Sequence, residues 1–497
     1  MKRVYQQSSI AVAALLLSLT LSGCLKVGPE YTKPTADTAT GWNVEPNTLM
    51  NNTMPDSIAW WKEAFQDPEL NRLVELALDD NLTLRSASLR VLQSQQQLAI
   101  AIGNQYPQQQ QATGAATRSK ANDNIANNYS LGMNLSWEAD IWGRYSSQIE
   151  SASAAMGASI ANYDGAVVSL VSQVAQNYVL IRTFRNRVEV AQKNIELQQT
   201  NLDIAQAKFD AGEVSELDVD QAASLLNNTK ATIFNYEVSL QQLKNSLAVL
   251  LGQPPQAFAS YLSDKSQVPS AKAEVALGMP QDLIRQRPDI RAAERRLAAQ
   301  SAAINYAVTE LYPHLSIGGS VGTSALNEGD LFESDSELWD ITGMFKWNIF
   351  NYGRLQSNIR LQDATFQQLL TDYRSTVLNA QADVENTIVA YLKSHEQLES
   401  YQLAADASKR AVNISQTQYT NGLIPFNTVI TTLTSDAQQQ DLLATAKGNV
   451  ASNLIQVYRA LGGGWEIRNG QDPADRLPQS TKQEMLERTK YWEDVLN

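Results

Sequence analysis

The chain has 497 residues, a formal net charge of −13, two histidines and one cysteine. A lone cysteine excludes an internal disulfide framework, and with only two histidines beside it no Cys/His metal cluster can be built. The acidic balance argues against nucleic acid as a partner, because phosphate binding needs clustered Lys and Arg that release counterions.

The first predicted element is a leader: Lys2 and Arg3, then an apolar stretch over 10–21 that is too short to span a bilayer, which makes residues 1–23 a signal peptide. Leu21-Ser22-Gly23-Cys24 resembles the bacterial lipobox, with Cys24 first in the mature chain and acylated. The plainer alternative is an incidental cysteine behind an ordinary leader. Leu25 and Lys26 follow without an aspartate, which resembles sorting to the outer membrane. Residues 24–60 are then an acylated segment, held firmly because several acyl chains anchor where one does not. Beyond the leader no stretch reaches the roughly 18 apolar residues of a transmembrane helix, so any crossing must be made by strands.

From residue 61 onward the chain repeats itself. Trp137-Glu138-Ala139-Asp140-Ile141-Trp142-Gly143-Arg144 returns as Trp347-Asn348-Ile349-Phe350-Asn351-Tyr352-Gly353-Arg354, an offset of 210 that also carries Phe209 onto Tyr419, Gly212 onto Gly422 and Gly252 onto Gly462. Upstream, 81–107 matches 287–313 at an offset of 206, and the slip of four falls where surface loops sit. Each copy reads helix, strand pair, long helix, turn, helix. The first spans 61–252 and the second 281–464; Pro254, Pro255, Pro269 and Pro280 punctuate a connector over 253–280, and a polar tail with a short amphipathic helix near 485–496 fills 465–497.

The strands show period two. Tyr129, Leu131, Met133, Leu135 and Trp137 alternate with Ser130, Gly132, Asn134 and Ser136; Leu315, Ile317 and Val321 alternate likewise, and Trp339, Ile341, Gly343, Phe345, Trp347 and Ile349 oppose Asp340, Thr342, Met344, Lys346 and Asn348. The segment expected first, 109–118, is nearly all polar and fits this pattern weakly. Alternation alone suits a soluble sandwich; segments of about nine to eleven residues flanked by Trp137, Trp339 and Trp347 suit tilted membrane strands with interfacial aromatics. Four strands leave a lipid-exposed open edge, so closure requires further copies.

The long helices carry a 3.5-residue seam. In the first it runs Val167, Val171, Val174, Tyr178, Ile181, Arg185, Val188, Gln192, Ile195, Gln199, Leu202, Gln206, Phe209; in the second, Val384, Ile388, Tyr391, His395, Leu398, Gln402, Ala405, Lys409, Val412, Gln416, Tyr419. So regular a period predicts coiled-coil packing, and its polar interruptions suit a wall around solvent better than a dry core. His314 and His395 read as structural or solvated. No phosphate loop, metal-spaced pair or nucleophile elbow occurs, so neither catalysis nor a cofactor is expected.

With these residues in hand, the chain resembles the TolC-like outer-membrane factors of tripartite efflux systems, in the lipoprotein branch typified by OprM. The most specific stretch is 277–294, from Leu277-Gly278-Met279-Pro280 through Arg287-Pro288-Asp289-Ile290-Arg291; Trp60-Trp61, Asp67-Pro68-Glu69-Leu70, Tyr312-Pro313 and Leu461-Gly462-Gly463-Gly464 support it. The resemblance implies a mainly α fold with a transmembrane β part: a homotrimer whose twelve-stranded barrel, set in outer-membrane lipid, continues into a periplasmic helical barrel. It implies a periplasmic adaptor and an inner-membrane pump, commonly of the resistance-nodulation-division class, as partners of a passive exit duct. It also implies that adaptors dock at the turns, Gly212 with Glu213 and Gly422 with Leu423, and that a gate lies just beyond them. Asp218 and Tyr419 match a linked pair there. The arginine often found two residues past the second glycine is Ile424, and the usual aspartates are Thr428 and Thr431, so this gate leans on Asn427, hydroxyls and packing. A periplasmic adaptor lipoprotein is the alternative, against which the duplicated hairpin counts.

Overall fold

The computed structural model describes residues 26–35, 38–39, 41–43, 50–51, 58–122, 124–256, 261–270, 275–276, 282 and 286–496. Cys24, the leader, much of the connector and most of 277–285 lie outside them. In chain order the main elements are β1 (Met50–Asn51), α1 (Trp60–Phe65), α2 (Pro68–Asp80), α3 (Leu82–Gly103), β2 (Gln109–Ala121), β3 (Asn124–Glu138), α4 (Arg144–Asp210), α5 (Glu216–Leu250), β4 (Val275–Ala276), α6 (Pro288–Thr309), β5 (His314–Ala325), β6 (Glu337–Lys346), α7 (Arg354–Thr420), α8 (Phe426–Leu461), α9 (Gln479–Arg488) and α10 (Glu493–Leu496). The element order is mainly helical, as expected; α4 and α7 have 67 residues each and α3 and α6 have 22 each.

The chain divides into two compact units, with boundaries falling inside α3, α4, α6 and α7. The first comprises Met1–Thr35, Val91–Ser159 and Ala292–Arg374. Its sheet is antiparallel in the order β2-β3-β5-β6, leaving β2 and β6 as edges. Polar β2 is a full strand of 13 residues, paired along its length with β3 from Gln109 opposite Ser136 to Ala121 opposite Asn124. Backbone hydrogen bonds to a neighbour make this strand, which side-chain alternation could not reveal. β6 stops at Lys346, short of the alternation expected through Ile349, because its partner β5 begins at His314 and His314–Lys346 is the last pair. Trp347 therefore follows the strand and does not end it.

One face of the sheet carries Leu131, Met133, Leu135, Trp137, Ile317, Val321, Trp339, Ile341 and Phe345, between 37% and 78% exposed; the other carries Ser130, Asn134, Ser136, Ser316, Ser320 and Thr342. Among the described residues no helix is long and apolar enough to cross a membrane. Where β3 gives way to α4, the Asp140 carboxylate accepts from the backbone N–H of Tyr145 (2.9 Å) and Ser146 (2.8 Å), capping the helix start. His314 lies 2.9 Å from Glu138, which also pairs with Arg144 at 3.0 Å, so this histidine is a structural member of the junction.

The second unit comprises Ala36–Arg90, Ile160–Arg291 and Ser375–Asn497. Asp67 caps α2, accepting from Glu69 N at 2.9 Å ahead of Pro68. Trp60 and Trp61 are buried, Trp60 stacking on Tyr458 at 4.9 Å. The seam of α4 is buried as expected at Val167, Val171, Val174, Tyr178 and Ile181, each aliphatic member contributing about 1.5–3 kcal/mol. Beyond Ile181 the structure departs from it. The buried line becomes Arg182, Thr183, Ala191, Asn194, Gln198, Asn201 and Ala205, while Gln192, Gln199, Gln206 and Phe209 are exposed. The turn occurs where α8 comes close: a Cβ on Gly448 would collide with the Thr183 side chain, and that approach selects the face α4 presents. In α7 Val384, Ile388, Tyr391, Ala405, Val412 and Tyr419 keep the expected line, and His395 stands edge-on to Tyr391 at 4.8 Å. The tail is tied down through Arg468, which donates to the buried Asp164 at 2.9 Å, and through Trp465, whose ring lies 4.3 Å from the Arg291 guanidinium.

Candidate functional site

The two helical hairpins reverse over residues 211–215 and 421–425. Gly212 and Gly422 adopt φ of 75° and 72°, and a Cβ at either would meet nothing within 4 Å. Glycine is thus required by the left-handed backbone and not by space. The turns agree bond for bond. Glu213 N donates to Lys208 O and Leu423 N to Gln418 O, both at 2.8 Å; Gly212 N reaches Phe209 O at 2.8 Å and Gly422 N reaches Tyr419 O at 2.9 Å. Their surfaces differ. Glu213 pairs with Lys208 at 2.8 Å, whereas Leu423 is 73% exposed.

Behind the turns the hairpins share an apolar cluster of Ala205, Ala222, Val412, Tyr419, Phe426, Val429 and Leu433. Tyr419 is its polar exception. Its ring lies 4.9 Å from that of Phe426, with the Lys208 ammonium 5.6 Å from its centroid. Its hydroxyl is buried without a hydrogen-bond partner among the described residues. Burial first, and then the nearby Asp218 carboxylate, push the phenol up to about 12. Asp218 is half-buried in the first turn of α5, where the helix dipole favours it.

The structure therefore brings Asp218 and Tyr419 together. Asn427, Thr428 and Thr431 stand apart from this cluster, exposed on α8; Thr431 Oγ1 donates to Asn427 O at 2.8 Å and Thr428 N to Pro425 O at 3.1 Å. Sequence reasoning missed Phe426, Val429 and Leu433, whose spacing of three and four residues at the start of α8 is an amphipathic signal that could have found them.

At the sheet, Trp137 and Trp347 lie at the end where β5 begins. The Trp137 indole donates to Gln105 O at 3.2 Å and the Trp347 indole to Leu311 O at 2.9 Å. Trp339, 75% exposed, pairs with Val321 toward the opposite end.

The family model described as outer membrane efflux protein matches residues 73–253 and 279–463. The chain is 30% identical over 466 residues to the pyoverdine export outer membrane protein OpmQ of Pseudomonas putida, covering 91% of this chain and 97% of that one. It is 29% identical to the outer membrane protein OprJ of Pseudomonas aeruginosa, covering 93% and 97%. Among solved structures, the outer-membrane channel OprN superposes with a TM-score of 0.83 at 28% identity, covering 88% of this chain and 99% of that one. The open state of the Neisseria gonorrhoeae MtrE outer membrane channel gives 0.79 at 25% identity, covering 89% and 99%.

Proposed function

Because this chain belongs to the outer membrane efflux protein family and is an outer-membrane efflux channel, we propose that three copies assemble into one passive duct, the exit stage of a tripartite pump. The observation that carries this reading is the open four-stranded sheet, with its apolar exposed face and two unpaired edges. A bilayer offers no hydrogen bonds to such edges, each unpaired group costing several kcal/mol, so the sheet needs copies of itself to close. Three is the family's number, and it yields a twelve-stranded barrel continuous with a helical barrel. Trp137, Trp339 and Trp347 would then sit at the membrane interfaces.

The remaining assignments follow from the same reading. Cys24 bears acyl groups that hold the subunit to outer-membrane lipid; palmitate labelling should disappear in Cys24→Ser, and label that persists rejects the assignment. The turns at Gly212, Glu213, Gly422 and Leu423 receive a periplasmic adaptor, with an inner-membrane pump, of the resistance-nodulation-division type, behind it. The gate is the cluster at these turns, with Asp218 and Tyr419 inside it and Asn427, Thr428 and Thr431 lining its approach. The duct itself performs no chemistry, and the pump supplies the energy. A clean deletion should raise intracellular accumulation of a fluorescent pump substrate. Unchanged accumulation in a strain lacking similar channels would count against export.

A further inference from the structure

Contacts between the two hairpins change character along α4 and α8, which run antiparallel. Gln176 meets Gln456 at 3.5 Å, then Thr183 meets Gly448, then Arg187 meets Asp441. Gly448 is buried, and its missing side chain sets the closest approach. Arg187 grips Asp441 with two parallel bonds, Nε to Oδ1 at 2.8 Å and Nη2 to Oδ2 at 2.9 Å. From α5 the Tyr236 hydroxyl donates to Asp441 at 3.0 Å, and its ring lies 4.2 Å from the Arg187 guanidinium, with Phe184 on α4 at 5.2 Å. A bidentate, charge-assisted pair clamped between aromatic faces is the strongest polar contact available between two helices.

About two turns further toward the reversal the contact weakens. Arg187, Tyr236 and Asp441 form one wall of an open pocket of about 250 Å³ between α4, α5 and α8, and Asn194, Asn228, Thr232 and Gln438 continue it toward the turns among apolar residues such as Leu225. Next comes Gln198, 2% exposed, with neither end of its amide hydrogen-bonded among the described residues. Each such orphaned group costs about 1–3 kcal/mol, so this layer hardly holds the helices together and gains when water reaches it. The apolar cluster at the turns closes the contact again.

We propose that Arg187 and Asp441, seconded by Tyr236 and by the Thr183–Gly448 approach, are the positioning residues of the gate: a fulcrum about which the two hairpins part. This rests on the reading that the cluster at the turns is the gate. About 35 Å of α4 separates Arg187 from its turn, so the clamp touches neither the gate residues nor anything docked on them. It fixes how far apart the turns swing while the wet layer between lets them do so. Removing one partner of such a pair leaves a partly buried charge unmatched and frees the lever.

The test compares the resting conductance of purified full-length channels in planar bilayers bathed in potassium chloride: wild type, Arg187→Glu, Asp441→Arg, the double exchange, Asp441→Asn and Asp218→Ala. Each single variant at the clamp should conduct severalfold more than wild type, with Asp441→Asn intermediate, and the double exchange should return to the wild-type level. Singles at wild-type conductance beside a leaky Asp218→Ala overturn the fulcrum and spare the gate. No leak in any variant, Asp218→Ala included, overturns both. A double exchange as leaky as the singles shows that the two charges do not act as a pair and overturns the proposal. If the single charge reversals fail to fold, Asp441→Asn and the double exchange decide it alone.

Discussion

The hydroxyl of Tyr419 is buried beside a carboxylate with no hydrogen-bond partner among the described residues, while its ring packs on Phe426 of its own hairpin and meets the first hairpin at Lys208 and in the cluster with Ala205 and Ala222. Tyr419→Phe should keep the resting conductance of wild type and change stability by less than about 1 kcal/mol, since it removes an unpartnered group. Tyr419→Ala should cost about 3–5 kcal/mol and leak. Because the phenol is raised to about 12, its protonated form is the one the fold favours. That contribution is fully present below the ordinary phenol value of about 10 and lost as pH rises through 12; Tyr419→Phe lacks the loss. Denaturant unfolding of the three proteins at neutral and alkaline pH checks this, and a Phe variant as leaky as the Ala variant would show that the hydroxyl is the link. At this scale the sequence was legible where backbone geometry forces the residue, as at Gly212 and Gly422. It was not legible at Asp218, whose charge suits a helix start whatever lies opposite.

Among the elements, the duplicated helices could be read because periodicity, glycine turns and the Trp-to-Arg segment recur at one offset. β2 could not be read well, because an edge strand is defined by its backbone partner and its side chains carry no alternating apolar face. The seam of α4 is the more instructive failure. Val188 and Ile195 suggest one face, but the helix buries Ala191, Asn194, Gln198 and Asn201. A small residue on another helix, Gly448, sets the approach and so decides which face is covered. Nothing local to α4 records that choice. The polar layer this creates is also why hydrophobicity alone could not place the fulcrum: its residues look like a solvated face until α8 is laid against them.

For the whole molecule, the need for partners was legible in the sequence: four aromatic-flanked strands cannot close, and the outer edges of β2 and β6 have no partner among the described residues while an apolar face is exposed. The number of copies was not, since strand count per chain fixes only that there must be more than one. The proposed ring of subunits would account for both the open sheet edges and the hairpins. The most direct test is the conductance of the purified full-length protein in planar bilayers, with the mass of the conducting species determined in the same preparation. Discrete, pump-independent channels from a species of three chains are the expected result. A homogeneous, folded preparation that is monomeric in mild detergent and passes no ions would contradict it.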